Sequence, residues 1–246
     1  MTFPVYLRLG NVRIHPHIFF ETLAYAVAFL TFLRLRRRHG DELSDDSRWW
    51  VICAAVVGAA IGCRLLGWLE ALDTASYATG KTIVGGLAGG LVAVELGKKR
   101  LKITAATGDL FVIPLIAGVA IGRIGCFLTG LADDTYGSPT TLPWGIDFGD
   151  GVPRHPTQLY EILFLAALGI WLVVYSRRSH LQGDIFKLFM VGYIVWRFLI
   201  DFLKPGKRVF GVTVIQLVCV LVLVYYVPHL VRIAKSFARP QAVAES

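Results

Sequence analysis

Seven apolar segments separated by short polar segments dominate the sequence. Residues 209–231 contain no Lys, Arg, Asp or Glu over 23 positions, enough for a helix to cross a hydrocarbon core of about 30 Å. The other six are interrupted by charges, and several taken singly would suit a soluble protein. They run over about residues 18–33, 49–68, 82–96, 110–126, 158–175 and 185–202. Because seven such segments are too many to bury around one aqueous core, they predict an all-α polytopic membrane protein with about seven transmembrane helices.

Composition supports the membrane prediction. The chain is 55% hydrophobic and 17% charged, with a mean hydropathy of +0.61, whereas soluble domains usually carry about a quarter charged residues. Its 246 residues allow one domain of about seven helices. We expect a single integral membrane domain over residues 1–239, followed by a disordered cytoplasmic tail at 240–246.

The distribution of basic residues predicts the orientation. With the N-terminus outside and the C-terminus inside, 14 basic residues lie in cytoplasmic segments and 7 in outer segments, as the positive-inside rule requires. The net charge of +8 is therefore a topology signal, and we expect no nucleic-acid partner.

Four cysteines, Cys53, Cys63, Cys126 and Cys219, lie in or at the end of apolar segments. Their spacing forms no CxxC or Cys/His pattern, so it predicts neither a disulfide framework nor a zinc site. We expect no metal and no cofactor. We also expect no cleavable signal peptide, because the first apolar segment follows a polar start and has no small-residue cleavage site.

The longest outer segment, at about residues 128–157, is rich in Gly, Pro, Asp and Thr. Loops of this length in compact proteins are usually functional or disordered. We expect this periplasmic-side loop to lie against the membrane surface through Tyr136 and Trp144.

Charged residues inside apolar segments are the first candidates for function, because charge in hydrocarbon is costly unless it is paired or faces water. Arg123 and Arg197 both point toward the outer leaflet, where two guanidiniums would suit a phosphate. Arg197 and Asp201 are four residues apart and can pair on one helix face. That pairing is also the purely structural explanation of Arg197. Lys187 lies nearer the cytoplasmic end and is expected to be structural.

Other candidates lie close to these arginines or at the start of the fifth segment. The glycine pair Gly85 and Gly86 suits close helix packing as well as a binding role. Gly125 and Cys126 follow Arg123, where flexible backbone would let a phosphate approach, although an intramembrane cysteine is usually a packing residue. The outer start of the fifth segment offers four polar side chains: His155, Gln158, Tyr160 and Glu161.

Several segments resemble signatures of the prolipoprotein diacylglyceryl transferase family. Residues 122–127, GRIGCF, resemble its GR(I/L)GNF, and residues 155–161, HPTQLYE, resemble its HP(S/T)QLYE. Residues 84–87, VGGL, resemble HGGL, and residues 196–202, WRFLIDF, resemble FRxxxEF. Asp109 with Pro114 resembles the DxxxP run before the first signature. The matches occur in family order over about residues 10–202.

The resemblance implies transfer of the diacylglyceryl group of phosphatidylglycerol to the lipobox cysteine thiol of a prolipoprotein, with release of glycerol phosphate. It implies a bacterial plasma (inner) membrane location, with the prolipoprotein signal peptide and membrane lipids as partners. Arg123 and Arg197 would be the family's two arginines, and His155 joins them as a catalytic candidate. The predicted substrate-binding residues are Gly85, Gly86, Gly125, Cys126, Gly137, Gln158, Tyr160, Glu161 and Asp201.

The sequence also departs from the family pattern. Val84 stands where the family has a histidine, Cys126 where it has an asparagine, and Asp201 where it has a glutamate. The tyrosine of the first span is missing, and residues 15–17, HPH, occupy that neighbourhood. The loop also lacks the usual acidic residue just after Asn-Gly, and Gly137 is the candidate for its glycine.

These departures leave alternatives open for the base and for the function. His155, His17 and Glu161 are candidates for the base. The functional alternatives are a divergent member that uses another acceptor, a non-catalytic lipid-binding protein, and a channel, transporter or structural membrane protein.

Overall fold

A computed structural model describes residues 3–71, 80–178, 180–205, 208 and 211–238. Within these residues each predicted apolar segment contains one helix, which confirms the all-α polytopic prediction. The helices are α1 (Pro16–His39), α2 (Asp45–Ala71), α3 (Ile83–Leu101), α4 (Val112–Thr129), α5 (Thr157–Tyr175), α6 (Asp184–Ile200) and α7 (Val214–Ala238). There are also two short antiparallel hairpins. β1 (Leu7–Leu9) pairs with β2 (Val12–Ile14) before α1, and β3 (Ile146–Asp147) pairs with β4 (Pro153–Arg154) between α4 and α5.

Five of the seven described helices are long and apolar enough to cross a membrane: α1, α2, α4 with its flanking 3₁₀ turns, α5 and α7. Large apolar side chains point outward from them, and Leu163 and Leu221 are each 69% exposed. Such side chains suit contact with lipid. By contrast, α6 has 17 residues and lies in the middle of the bundle, where Phe189, Met190 and Tyr193 are fully buried.

Two helix pairs approach each other through glycines. A Cβ on Gly85 of α3 would lie 2.3 Å from the carbonyl oxygen of Gly62 in α2. A Cβ on Gly125 of α4 would lie 2.8 Å from Cβ of Phe20 in α1. Only glycine permits such close contact, and the second contact places the start of α1 beside the end of α4.

The segment between α4 and α5 folds back onto the bundle. Phe148 is 2% exposed and packs against the rings of Phe3, Phe127 and Tyr136. The backbone N–H of Ser138 donates to the carbonyl of Leu203, at 2.7 Å, just beyond α6. The long loop predicted from the sequence is therefore an ordered cover on this end of the bundle.

The start of the last helix differs from the predicted segment 209–231. Gly211 has a φ of +85°, and α7 begins only at Val214, because the positive φ turns the chain before the helix. Residues 209 and 210 lie outside the described part of the chain, as does the predicted tail at 240–246.

Candidate active site

The candidate site lies where the first turns of α1 and α5 meet the last turns of α4 and α6. This arrangement follows from helices that alternate in direction, since the start of one then neighbours the end of the next. It brings Arg123 and Cys126 of α4, Glu161 of α5 and Arg197 of α6 to the same end of the bundle.

Arg123 and Glu161 form one buried ion pair. Nε of Arg123 lies 2.9 Å from Oε2 of Glu161, and the two side chains are 8% and 2% exposed. The hydroxyl of Tyr193, on α6, donates to Oε1 of Glu161 at 2.6 Å. Because both carboxylate oxygens are engaged, Glu161 is held in place and in turn positions the guanidinium of Arg123.

Arg197 forms the second buried pair. Its Nη1 lies 3.1 Å from Oδ1 of Asp201, as the spacing of four residues predicts. The hydroxyl of Thr213 donates to Oδ2 of Asp201, and the Thr213 backbone N–H donates to Oε1 of the fully buried Gln216 at 3.0 Å. The chain before α7 therefore fixes the carboxylate that positions Arg197.

The charges of Arg123 and Arg197 act on the same neighbouring groups. Glu161 is close enough to interact with the charges of both, and so is Lys204, which follows α6. Burial, together with the charges of Arg197 and Arg123, lowers the pKa of Lys204 to about 7. Arginine and carboxylate charges balance within the two pairs, so Lys204 supplies a further cation that titrates near neutral pH.

Several buried donors at this end of the bundle lack hydrogen-bond partners among the described residues: Nε of Arg123, Nη1 of Arg197 and Nε1 of Trp196. The first two lie within ion-pair distance of their carboxylates, but their N–H groups do not meet hydrogen-bond geometry. Two guanidiniums held at one end of the bundle suit an anionic ligand with several acceptor oxygens.

A second polar cluster adjoins Arg123. Nδ1 of His17 lies 2.7 Å from Oδ1 of Asp133, and Cys126 is within hydrogen-bonding reach of both. Nη1 of Arg123 lies 3.8 Å from Sγ of Cys126. The cluster is therefore directly connected to the arginine pair.

The remaining polar candidates lie on the loop side of the site. Nδ1 of His155 lies 3.2 Å from the hydroxyl of Tyr160, which accepts a hydrogen bond from Nε1 of Trp144 at 2.8 Å. A Cβ on Gly137 would lie 2.6 Å from Cβ of His155. Gln158 is 1% exposed, and its amide nitrogen donates to Thr135 at 3.1 Å. These contacts connect His155 to the loop, while His17 is the histidine beside Arg123.

The glycine motif of α3 lies in a different setting. Gly85 is held against Gly62 of α2, so packing alone explains it, and its role in substrate binding stays a prediction. A Cβ on Gly86 would lie 3.7 Å from Cβ of Cys63, an ordinary contact. Val84 is fully buried in the hydrophobic core and offers no proton acceptor.

Fold and geometry together define a multi-pass membrane protein with two buried arginine–carboxylate pairs at one end of its helix bundle. A family model, prolipoprotein diacylglyceryl transferase, matches residues 4–232. The chain belongs to this family.

Curated relatives agree over most of their length. Proteins named phosphatidylglycerol–prolipoprotein diacylglyceryl transferase from Bordetella bronchiseptica and Geobacter sulfurreducens are 32% and 31% identical, over 85% of this chain and 84% of each relative. One of the same name from Nitratidesulfovibrio vulgaris is 34% identical, over 88% of this chain and 89% of the relative.

Sequence reasoning singled out both arginines and their carboxylates but not Asp133 or Lys204 as site residues. It named His17 only as one of three possible bases. Lys204 lies three residues after Asp201, beyond the helix and its periodic pattern. Asp133 ends a 3₁₀ turn in the loop. Neither lies in a segment whose pattern indicates its neighbours.

Proposed function

We propose that this protein transfers the diacylglyceryl group of phosphatidylglycerol to the cysteine thiol of a prolipoprotein and releases glycerol phosphate. Membership of the family supports the reaction class. The observation that carries the proposal for this chain is the pair of buried guanidiniums at one end of the bundle, each held by a buried carboxylate. The same site binds the lipid phosphate and stabilises its charge as it leaves.

The arginines act on the leaving group. In the transfer, the acceptor sulfur forms a bond to the glyceryl carbon while the bond from that carbon to the phosphate oxygen breaks. The electron pair stays on that oxygen, so negative charge grows there. Arg123 and Arg197, held by Glu161 and Asp201, provide fixed positive charge at that point without reorganisation.

The acceptor thiol must lose its proton, because the thiolate is the nucleophile. Val84 cannot take this proton. The side of the site formed by His17, Asp133 and Cys126 adjoins Arg123 and therefore the place of the reacting carbon. We assign the acceptor sulfur to this side. The ordered loop with Gly137 and His155, and the first turn of α5 with Gln158 and Tyr160, then border the entry of the headgroup and the signal peptide.

The proposal includes the orientation of the protein in the membrane. With the N-terminus outside, the site lies at the outer end of the bundle of a bacterial inner-membrane protein, where phosphatidylglycerol and a secreted precursor with a lipobox meet. Membrane lipid surrounds the exposed apolar side chains. The basic residues at the opposite end, such as Arg36 and Arg48, fit the cytoplasmic side.

Purified protein in detergent tests the proposal with phosphatidylglycerol and a lipobox peptide. We expect release of glycerol phosphate together with a mass gain of one diacylglyceryl group on the peptide. A peptide with serine in place of the cysteine is the matched control and should remain unmodified. Headgroup release that is equal with both peptides, or absent with both, would contradict the proposal.

A second candidate function follows from Cys126, which alters the acceptor side, and from Val84, which offers no base, while both arginines stay in place. Here the protein transfers the same lipid-derived group to a different thiol acceptor. Two results together would favour this function. The lipobox peptide forms no product, and a small thiol added in its place gives lipid-dependent release of glycerol phosphate.

A further inference from the structure

Three residues with metal-binding side chains converge at the outer end of α1 and α4. His17 comes from the first turn of α1, Cys126 from the last turn of α4, and Asp133 from the 3₁₀ turn that follows. One nitrogen, one sulfur and one oxygen from these side chains all lie within 4.8 Å of one another. His17 and Cys126 also occupy regions where the sequence departs from the family pattern.

The three atoms form a closed triangle rather than a relay. In a nucleophile–histidine–carboxylate relay, the thiol and the carboxylate sit on opposite ring nitrogens. Here Asp133 is within hydrogen-bonding reach of both His17 and Cys126. Zinc bonds of about 2.0–2.3 Å place neighbouring ligands of a tetrahedron about 3.3–3.8 Å apart. Small shifts of three side chains are therefore enough to surround one ion.

The partners around the triangle are those that metal ligands need. Nδ1 of His17 faces Asp133, while its Nε2 lies 3.6 Å from Oε2 of Glu21. The hydroxyl of Thr135 donates to Oδ2 of Asp133 at 2.6 Å. A histidine ligand normally directs its second nitrogen toward a carboxylate, and a carboxylate ligand is itself hydrogen-bonded. The carboxylate condition is met, and Nε2 of His17 is oriented toward Glu21 at ion-pair distance.

We propose that His17, Cys126 and Asp133 bind one Zn²⁺ ion and leave its fourth position open. One imidazole, one thiolate and one carboxylate form a ligand set that zinc accepts, and three protein ligands with an open position are typical of catalytic rather than structural zinc. No pattern along the chain indicates this site, because its ligands lie 109 and 7 residues apart and match no metal-binding spacing.

The role of the ion rests on the proposed function. The acceptor thiol takes the fourth position and releases its proton to solvent, since a coordinated thiol is deprotonated. Its sulfur then bonds to the glyceryl carbon, the carbon–oxygen bond to phosphate breaks, and the electron pair leaves on the phosphate oxygen. Arg123, 3.8 Å from Sγ of Cys126, joins the zinc side of the site to the phosphate side. This arrangement replaces the base that Val84 does not provide.

Titration of the chelator-treated full-length protein with Co²⁺ tests the site without any activity measurement. We expect one equivalent to bind, with a thiolate-to-cobalt charge-transfer band that Zn²⁺ removes. Cys126→Ser should abolish the band, and Asp133→Asn should weaken Co²⁺ binding. The matched control is Cys219→Ser, which should keep the band. Cys219 is another buried cysteine and lies on α7. Glu21→Gln should weaken binding about 10- to 100-fold.

The possible results separate the metal site from the reaction. Folding of each variant is checked by its detergent gel-filtration profile and thermal unfolding. A folded wild type without a saturable band, or a band that persists in folded Cys126→Ser, overturns the metal site and leaves the proposed function standing. One cobalt bound through Cys126, with no glycerol phosphate release from Zn²⁺-loaded protein, keeps the metal site and overturns the proposed function.

Discussion

Nε of Arg123 lies 2.9 Å from Oε2 of Glu161, and neither side chain is more than 8% exposed. Taking two charges out of water has a large desolvation cost, and only close pairing offsets it. Tyr193 adds a hydrogen bond to the same carboxylate. The guanidinium that we assign to the phosphate is therefore held in one orientation before the lipid arrives.

Removing one partner of the Arg123–Glu161 pair should lower both the free energy of unfolding and the activity. Glu161→Gln leaves a buried guanidinium without a counter-charge, and we expect a loss of about 3–5 kcal/mol in the free energy of unfolding. Chemical denaturation in detergent measures it. Tyr193→Phe removes only a hydrogen bond and should cost about 1–3 kcal/mol. Equal stability of Glu161→Gln and the wild type would contradict the buried pair.

Arg197→Lys tests whether the site needs a planar donor fork. A lysine keeps the charge but cannot present two parallel donors to a phosphate. Loss of one preorganised donor costs about 10²–10³ in rate, so we expect glycerol phosphate release to fall by that factor. Lys187→Arg, near the opposite end of α6, is the matched control and should retain activity. Full activity of Arg197→Lys would remove the fork from the proposed mechanism.

Lys204 should make lipid binding depend on pH near neutrality. Burial and the charges of Arg197 and Arg123 lower its pKa to about 7, while the acidic groups around it are Glu161, Asp201 and Glu70. A bound phosphate favours the ammonium form and raises this pKa. Below pH 7 Lys204 is already protonated in the free protein, so the affinity for the lipid changes little with pH. Above pH 7 binding must take up a proton, so affinity falls as pH rises.

The measurement is the affinity for phosphatidylglycerol in mixed micelles between pH 6 and about pH 9, where the decline is at most about tenfold per pH unit. Lys204→Arg keeps the positive charge throughout this range and should flatten the profile while preserving affinity. Lys204→Met should flatten it at lower affinity. A profile that remains as steep in both variants would assign the titration to another group.

The sequence predicted those parts of this site that depend on local pattern. Each of the seven apolar segments contains a helix in the part of the chain that the structure describes, and the spacing of Arg197 and Asp201 predicted their ion pair. The contact between His17 and Asp133 joins residues 116 positions apart, across a helix start and a loop turn. It depends on how closely α1 packs against α4 at Gly125, and no periodicity encodes that packing. The nearness of Lys204 to both arginines likewise depends on how the chain leaves α6.

Two neighbouring glycines separate helix packing from substrate binding. A methyl group on Gly85 would lie 2.3 Å from the carbonyl oxygen of Gly62, whereas one on Gly86 would lie 3.7 Å from Cβ of Cys63. Gly85→Ala must therefore push α2 and α3 apart, and we expect a loss of about 1–3 kcal/mol in the free energy of unfolding. Gly86→Ala should leave stability within about 0.5 kcal/mol of the wild type.

Thermal unfolding and glycerol phosphate release are measured on the same preparations. If Gly85 serves packing alone, the activity of Gly85→Ala should return to near the wild-type level at temperatures well below its unfolding midpoint. A stable Gly85→Ala protein that cannot bind phosphatidylglycerol would instead assign this glycine to the lipid site. Loss of lipid binding in Gly86→Ala at unchanged stability would do the same for Gly86, since its added methyl group meets only ordinary contacts within the protein.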